Sequence, residues 1–142
     1  MKVKEVMTPR VIRIDPEESA SVAARTLARY NIGALPVCGA DGKLWGVLTD
    51  RDIVTRCLAA GQNAEGTRVR QIMTNNVVCV GPNMDVSAAA SMMARRQVRR
   101  LPVVENGVLC GMISLGDLCQ HEQSAPDAVD VLTEISSNVV DR

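Results

Sequence analysis

The sequence of 142 residues contains no phenylalanine, one tryptophan (Trp45), one tyrosine (Tyr30) and one histidine (His121). Its core must therefore come from Val, Ala, Leu, Ile and Met, which the 46% hydrophobic content permits. No Ser-His-Asp order and no paired carboxylates stand out, so no catalytic residue is named. Walker A and GxGxxG phosphate loops are missing too. No apolar run reaches the roughly eighteen residues of a membrane span. Met1 to Glu5 has no apolar stretch behind its charges, so a cytoplasmic protein is expected. Sixteen basic residues balance sixteen acidic ones, which argues against a broad basic surface for nucleic acid or membrane. The cysteines at 38, 57, 79, 110 and 119 form no CxxC, so neither a disulfide scaffold nor a zinc cluster is expected. Cys119 and His121 offer two ligands, too few for a metal.

What is present is a repeat. At an offset of 66, Val3 to Gly39 and Val69 to Glu105 share thirteen identities, among them Met7/Met73, Thr8/Thr74, Pro16/Pro82, Ala24/Ala90 and Leu35/Leu101. Chance gives about two to four. After a one-residue deletion Gly42, Leu44, Gly46 and Asp52 match Gly107, Leu109, Gly111 and Asp117, and Thr49 matches Ser114.

Each copy reads β-α-β-β-α. A short strand at Val11, Ile12 and Ile14 is ended by Pro16. Ser19, and Asp85 in the second copy, are placed to cap a helix. Residues 20 to 30 put Ala20, Ala23, Ala24, Leu27 and Ala28 on one thin face. A strand at 34–38 carries Pro36, which suits an edge or a strand start. Asp41-Gly42 and Asn106-Gly107 are turn signals. Leu44 to Leu48 alternates too little for a half-wet strand, so both its faces are expected to be covered. A helix follows from Thr49-Asp50 to about Ala60, closed by Gly61. The expected layout is unit one at 1–60, a polar connection at 61–68, unit two at 69–121 and an extension at 122–142. A unit of about sixty residues hides only part of its surface. The two are therefore expected to pack through their sheets about a pseudo-twofold axis, in an α/β (α+β) fold. Residues 118–123 are expected to finish the last helix. Ser124 and Asp127 then look like a capping box that starts another, with Val129, Leu132, Ser136 and Val139 on one stripe and Ile135 beside it. That helix either packs on its own domain or serves a dimer or partner interface.

The repeated units resemble the CBS domain, two of which in tandem form a Bateman module. The resemblance rests on an ordered set that occurs twice and covers residues 1 to about 121. In the first copy it is Val6-Met7-Thr8, Pro16, Ala23-Ala24, Leu35-Pro36-Val37 and Gly46 to Asp52. In the second it is Ile72-Met73-Thr74, Pro82, Ala89-Ala90, Leu101-Pro102-Val103 and Gly111 to Asp117. The chain thus looks like a stand-alone bacterial or archaeal version.

Thr49 and Asp52 stand three apart at a strand-to-helix junction, on one side of the first turn. Such a pair can cap the helix. It can also serve a nucleotide, the hydroxyl bonding phosphate and the carboxylate accepting from ribose. Ser114 and Asp117 repeat the pair, and the resemblance implies that this motif binds adenosine nucleotides. Arg51 faces Gly116 in the alignment, and Arg99-Arg100 faces Gly33-Ala34, so the two potential sites are unequal. The resemblance implies that arginines before Leu101 face ligand phosphates, and basic groups from both units, Arg51 with Arg99 and Arg100, are expected to reach a ligand cleft between the units. Arg95, Arg96, Arg99 and Arg100 could equally be a solvated helix end. Thr8 and Thr74 can add backbone contacts at the cleft, and Leu35, Leu101, Ile32 and Val98 could flank adenine or belong to the core.

The expected function is a non-catalytic sensor that binds an adenosine-containing nucleotide and alters a dimer or partner interface. AMP, ADP or ATP is favoured over S-adenosylmethionine or NAD, with no cofactor required. A homodimer and a regulated protein partner are expected. The alternative is a ligand-free structural or protein-interaction module.

Overall fold

A computed structural model describes residues 1–121 and 123–140, with the backbone alone for 138–140. The elements are α1 (Val3–Val6), α2 (Ala20–Tyr30), β1 (Ala34–Cys38), β2 (Leu44–Thr49), α3 (Asp50–Asp52), a π-helical segment (Ile53–Leu58), α4 (Val69–Ile72), α5 (Val86–Arg96), β3 (Arg100–Glu105), β4 (Val108–Ser114), α6 (Leu115–Cys119) and α7 (Ala125–Val140). Both copies follow the β-α-β-β-α order. The first β of each is a single bridged residue, Ile14 beside Val37 and Val80 beside Val103. The strand expected at 11–14 shrinks to that bridge. Ile14 N–H donates to the Pro36 carbonyl at 2.9 Å and Cys38 N–H returns to Ile14 at 3.0 Å, while Pro36 has no N–H to extend the ladder.

The chain forms two compact units whose limits are not those of the repeats. Residues 12–77 make a continuous unit. Residues 1–11 and 78–142 make a discontinuous one. The leading segment of each repeat thus joins the body of the other. In the continuous unit Val69, Ile72 and Met73 enter a core with Ala20, Ala23, Leu27, Leu35, Val37 and Leu48. In the discontinuous unit Val3 and Val6 enter a core with Val86, Ala89, Met93, Leu101, Val103 and Ile113. Backbone bonds pin both joins. Val69 donates to Glu18 at 2.8 Å, and Val3 donates to Met84 at 2.9 Å.

Each sheet is an antiparallel hairpin, β1 with β2 and β3 with β4. The second closes through Asn106 and Gly107, both at positive φ (54° and 82°), as a two-residue turn requires. The β2 run is not covered on both faces. Gly46 and Leu48 are buried, but Trp45 is 49% exposed, so the apolar run conceals an alternation.

α2 starts as expected, with Ser19 Oγ accepting from Val22 N–H at 3.1 Å. Asp85 holds the same place before α5 but makes no side-chain cap. Its carboxylate pairs with Lys2 Nζ at 3.1 Å, and that hydrogen bond and charge hold its pKa below the usual range. The helix expected to run from 50 to 60 is α-helical only over its first turn. Ile53 to Leu58 is π-helical, with Ala59 N–H reaching back five residues to Val54 at 2.8 Å. Three β-branched residues in succession, Ile53, Val54 and Thr55, favour the α form slightly less than unbranched residues do.

α6 ends at Cys119, short of the expected 123. Glu122 and the Val139 side chain lie outside the described residues. Ser124 precedes α7, but its hydroxyl donates to the Leu118 and His121 carbonyls, at 2.6 and 3.2 Å. α7 packs on α5 and α6 within the discontinuous unit. The stripe it buries is Ala128, Val131 and Ile135, whereas Val129 and Leu132 are 62% and 48% exposed. The expected stripe was one face away from the buried one.

Candidate functional site

The two copies of the motif build the same local device. In the continuous unit Thr49 ends β2 and caps α3. Its Oγ1 accepts from Asp52 N–H at 3.0 Å, and Asp52 Oδ2 accepts from Thr49 N–H at 3.1 Å. In the discontinuous unit Ser114 Oγ accepts from Asp117 N–H at 3.1 Å, and Asp117 Oδ2 accepts from Ser114 N–H at 2.9 Å. Both are reciprocal capping boxes, which satisfy N–H groups that a helix start leaves open.

A second hydroxyl reaches each carboxylate. Thr74 Oγ1 donates to both oxygens of Asp52, at 3.2 and 3.1 Å. Thr8 Oγ1 donates to Asp117 Oδ1 at 3.3 Å. The sequence placed these threonines near the site through backbone contacts, and those exist as well. Thr74 exchanges two backbone bonds with Val47, and Thr8 exchanges two with Met112, all between 2.8 and 3.1 Å. The strand glycines make that approach possible. A Cβ on Gly46 would collide with the Thr74 carbonyl, and one on Gly111 would lie 2.5 Å from the Thr8 carbonyl. What approaches Gly46 so closely is the chain's own backbone.

The two sites differ in how spent the carboxylate is. Asp52 is 6% exposed. Arg56, one turn on, lies 3.8 Å from its Oδ1 and donates to the Met73 carbonyl at 3.0 Å. Sequence reading missed Arg56, although its spacing of four from Asp52 was a visible signal. Asp117 is only half-buried, and its Oδ1 accepts a single long bond from an exposed threonine. Arg100 is exposed and faces Ser114 across the β3–β4 ladder, while Ala34 faces Thr49 in the other hairpin. Arg99, also exposed, offers its carbonyl to Leu115 N–H at 2.8 Å, as Gly33 does to Asp50 at 3.0 Å. Arg51 is exposed, and among the described residues only its backbone is tied, its N–H to Asp50 Oδ1 and its carbonyl to the Thr55 hydroxyl, both at 2.8 Å. Leu35 and Leu101 are core residues, 0% and 2% exposed, with no surface to offer a purine, whereas Ile32 and Val98 are half-buried. Among the described residues, no three His, Cys, Asp or Glu side chains gather as a metal site.

The family model of the CBS domain matches residues 3–59 and again 69–124. The chain belongs to the CBS-domain family. Two CBS domains in tandem, spanning most of the chain, are the make-up of a Bateman module. Such domains are non-catalytic regulatory modules, and this chain is one of them. It is 40% identical over 134 residues to the CBS domain-containing protein YhcV of Bacillus subtilis, covering 94% of each chain. It is 33% identical over 118 residues to Hypoxic response protein 1 of Mycobacterium tuberculosis, covering 83% and 82%. A crystal structure of Hypoxic Response Protein I, with two coordinated zinc ions, matches with a TM-score of 0.78 at 32% identity, over 85% of this chain and 98% of that one. The crystal structure of CBSX2 in complex with AMP matches with a TM-score of 0.75 at 27% identity, over 84% and 93%. No helix among the described residues is long and apolar enough to cross a membrane.

Proposed function

We propose that this CBS pair is a ligand sensor that binds an adenosine nucleotide at the Asp117 motif. One observation carries the choice of site, the contrast between the two carboxylates. Asp52 is buried and held by Thr49, Thr74 and Arg56, so a ribose would have to displace bonds that the fold uses. Asp117 keeps accepting capacity on Oδ1 and lies half open beside Thr8. Arg100, opposite Ser114, and its neighbour Arg99 supply positive charge that suits phosphate. The AMP complex of the similar CBSX2 supports the ligand class. AMP, ADP and ATP share both the ribose and the phosphate that this set addresses. S-adenosylmethionine lacks a phosphate and engages only the carboxylate. The output is a change in a dimer or partner interface, which requires that the nucleotide bind one arrangement better than the other.

The test is calorimetric titration of adenosine, AMP, ADP, ATP, S-adenosylmethionine and NAD into the full chain. Saturable binding that strengthens from adenosine to the phosphorylated forms is expected. Equal affinity for adenosine and ATP would remove the role given to Arg99 and Arg100. Binding of none of the six would favour a module that works through protein contacts alone. One observation favours that second reading: both motif aspartates already serve capping boxes.

A further inference from the structure

α2 and α7 carry opposite charges. Arg25 and Arg29 are the charged residues of α2, which has no acid. Asp127, Asp130 and Glu134 are those of α7 over 125–140, which has no base. Arg25, Arg29, Asp130 and Glu134 are exposed, and none enters an ion pair among the described residues. The guanidinium of Arg29 lies 5.6 Å from the Tyr30 ring, and Arg25 donates to Ser21 Oγ at 2.9 Å. Both arginines line an open groove of about 800 Å³ along α2, with Ile12, Val22, Thr26 and Tyr30. On α7, helical spacing puts Val129, Asp130, Thr133 and Glu134 on one solvent side, and Val129 is 62% exposed there. Each helix therefore shows a mixed apolar and singly charged surface, and the charges are complementary.

The repeat supplies a second observation. α5 is the counterpart of α2, and α7 lies over it. Ala90 is 4% exposed and Ala94 half-buried, whereas the matching Ala24 is half-buried and Ala28 exposed. Identical residues are thus covered in one unit and open in the other.

We propose that the α2 surface seats α7 of a second copy of this chain, with Asp130 and Glu134 against Arg25 and Arg29 and Val129 in the groove beside Tyr30. This rests on the self-association expected of the module, and it names the surfaces. Under a twofold axis the contact occurs twice, each copy giving one α7 and one α2. Exposed charge pairs add little affinity, but like charges in the same place are strongly disfavoured, so they select the partner and the register.

Sedimentation of the full chain tests this, with folding checked by circular dichroism. A dimer that weakens as salt rises is expected. Arg25→Glu with Arg29→Glu, and separately Asp130→Lys with Glu134→Lys, should each move the chain to monomer. An equimolar mixture of the two reversed chains should restore the dimer. The neutral pair Asp130→Asn with Glu134→Gln should fall between. A dimer indifferent to both reversals overturns this interface and leaves self-association standing, and a mixture that fails to re-pair also overturns it. A chain that is monomeric at every concentration overturns both.

Discussion

Thr74 donates its hydroxyl to both carboxylate oxygens of Asp52, at 3.2 and 3.1 Å, from the leading segment of the second repeat. Thr8 does the same for Asp117 with one bond of 3.3 Å, from the leading segment of the first. The threonine in the leading segment of each repeat thus completes the motif of the other. The exchange fixes where a folding defect and a binding defect will part. Thr74→Val should destabilise the chain by about 1–2 kcal/mol, because it leaves acceptor capacity on a buried carboxylate unmet. Thr8→Val, at an exposed and longer bond, should cost a few tenths of that. Denaturant unfolding monitored by circular dichroism reads both. Equal losses would mean that the two carboxylates are equally committed to the fold.

The strand glycines should tolerate no side chain. Alanine at Gly46 or Gly111 puts a methyl into the backbone carbonyl of Thr74 or Thr8, and a crossing segment bonded at both Thr74 N–H and carbonyl cannot move aside cheaply. Overpacking of this kind costs about 1–3 kcal/mol. A fall in Tm is expected for Gly46→Ala and for Gly111→Ala. An unchanged Tm would show that the bridged segments are not held against the strands.

The α7 stripes give a direct contrast. Val131→Ala removes two buried methyl groups and should cost about 1–3 kcal/mol. Val129→Ala, at a 62% exposed position, should stay within about 0.5 kcal/mol. The reverse order in chemical denaturation would place the other stripe inward.

The thiols should label in sequence. Cys119 is exposed, and Cys38 is 4% exposed with its pKa raised by burial, an effect that Arg13 only partly offsets. Thiolate reacts and thiol does not. Iodoacetamide should therefore modify Cys119 well before Cys38 in the native chain, read by mass spectrometry. Simultaneous labelling would contradict the burial.

Asp85 supplies a small acid-linked effect. Lys2 holds its folded pKa below the unfolded value, so the pair stabilises at pH above the ordinary carboxylate range and that contribution is lost as pH falls through the folded pKa. Asp85→Asn should flatten the acid limb of a Tm-against-pH curve slightly and leave neutral-pH stability almost unchanged. Both groups are exposed, and surface pairs contribute little.

Much of this architecture was legible in the sequence, and the failures have physical reasons. Helical spacing fixed α2 at 20–30, and Asn106-Gly107 marked the turn between β3 and β4. The exchange of leading segments was not legible, because Val3 matches Val69 and Val6 matches Ile72. Each segment fits either core, and likeness cannot say which it joins. The α7 stripe failed because Val129, Leu132 and Ser136 and the neighbouring Ala128, Val131 and Ile135 have the same helical period. Only the surface of α5 and α6 chooses between them. The apolar run at 44–48 hid Trp45, since composition cannot distinguish an exposed tryptophan from a packed one. For the site, spacing alone found Thr49, Asp52, Ser114 and Asp117. It could not rank them, because what separates them is Arg56 and the burial that tertiary packing imposes.

The central claim is that the half-open carboxylate of Asp117, and not the buried one of Asp52, holds the ligand. Titration of ATP into the chain, into Asp117→Asn and into Asp52→Asn tests it most directly. Asparagine keeps an oxygen for the helix cap, so each variant retains its fold while losing the carboxylate's charge and part of its accepting capacity. Saturable binding in the parent chain that is lost in Asp117→Asn and kept in Asp52→Asn is the predicted result. Binding lost in Asp52→Asn and kept in Asp117→Asn would contradict the account.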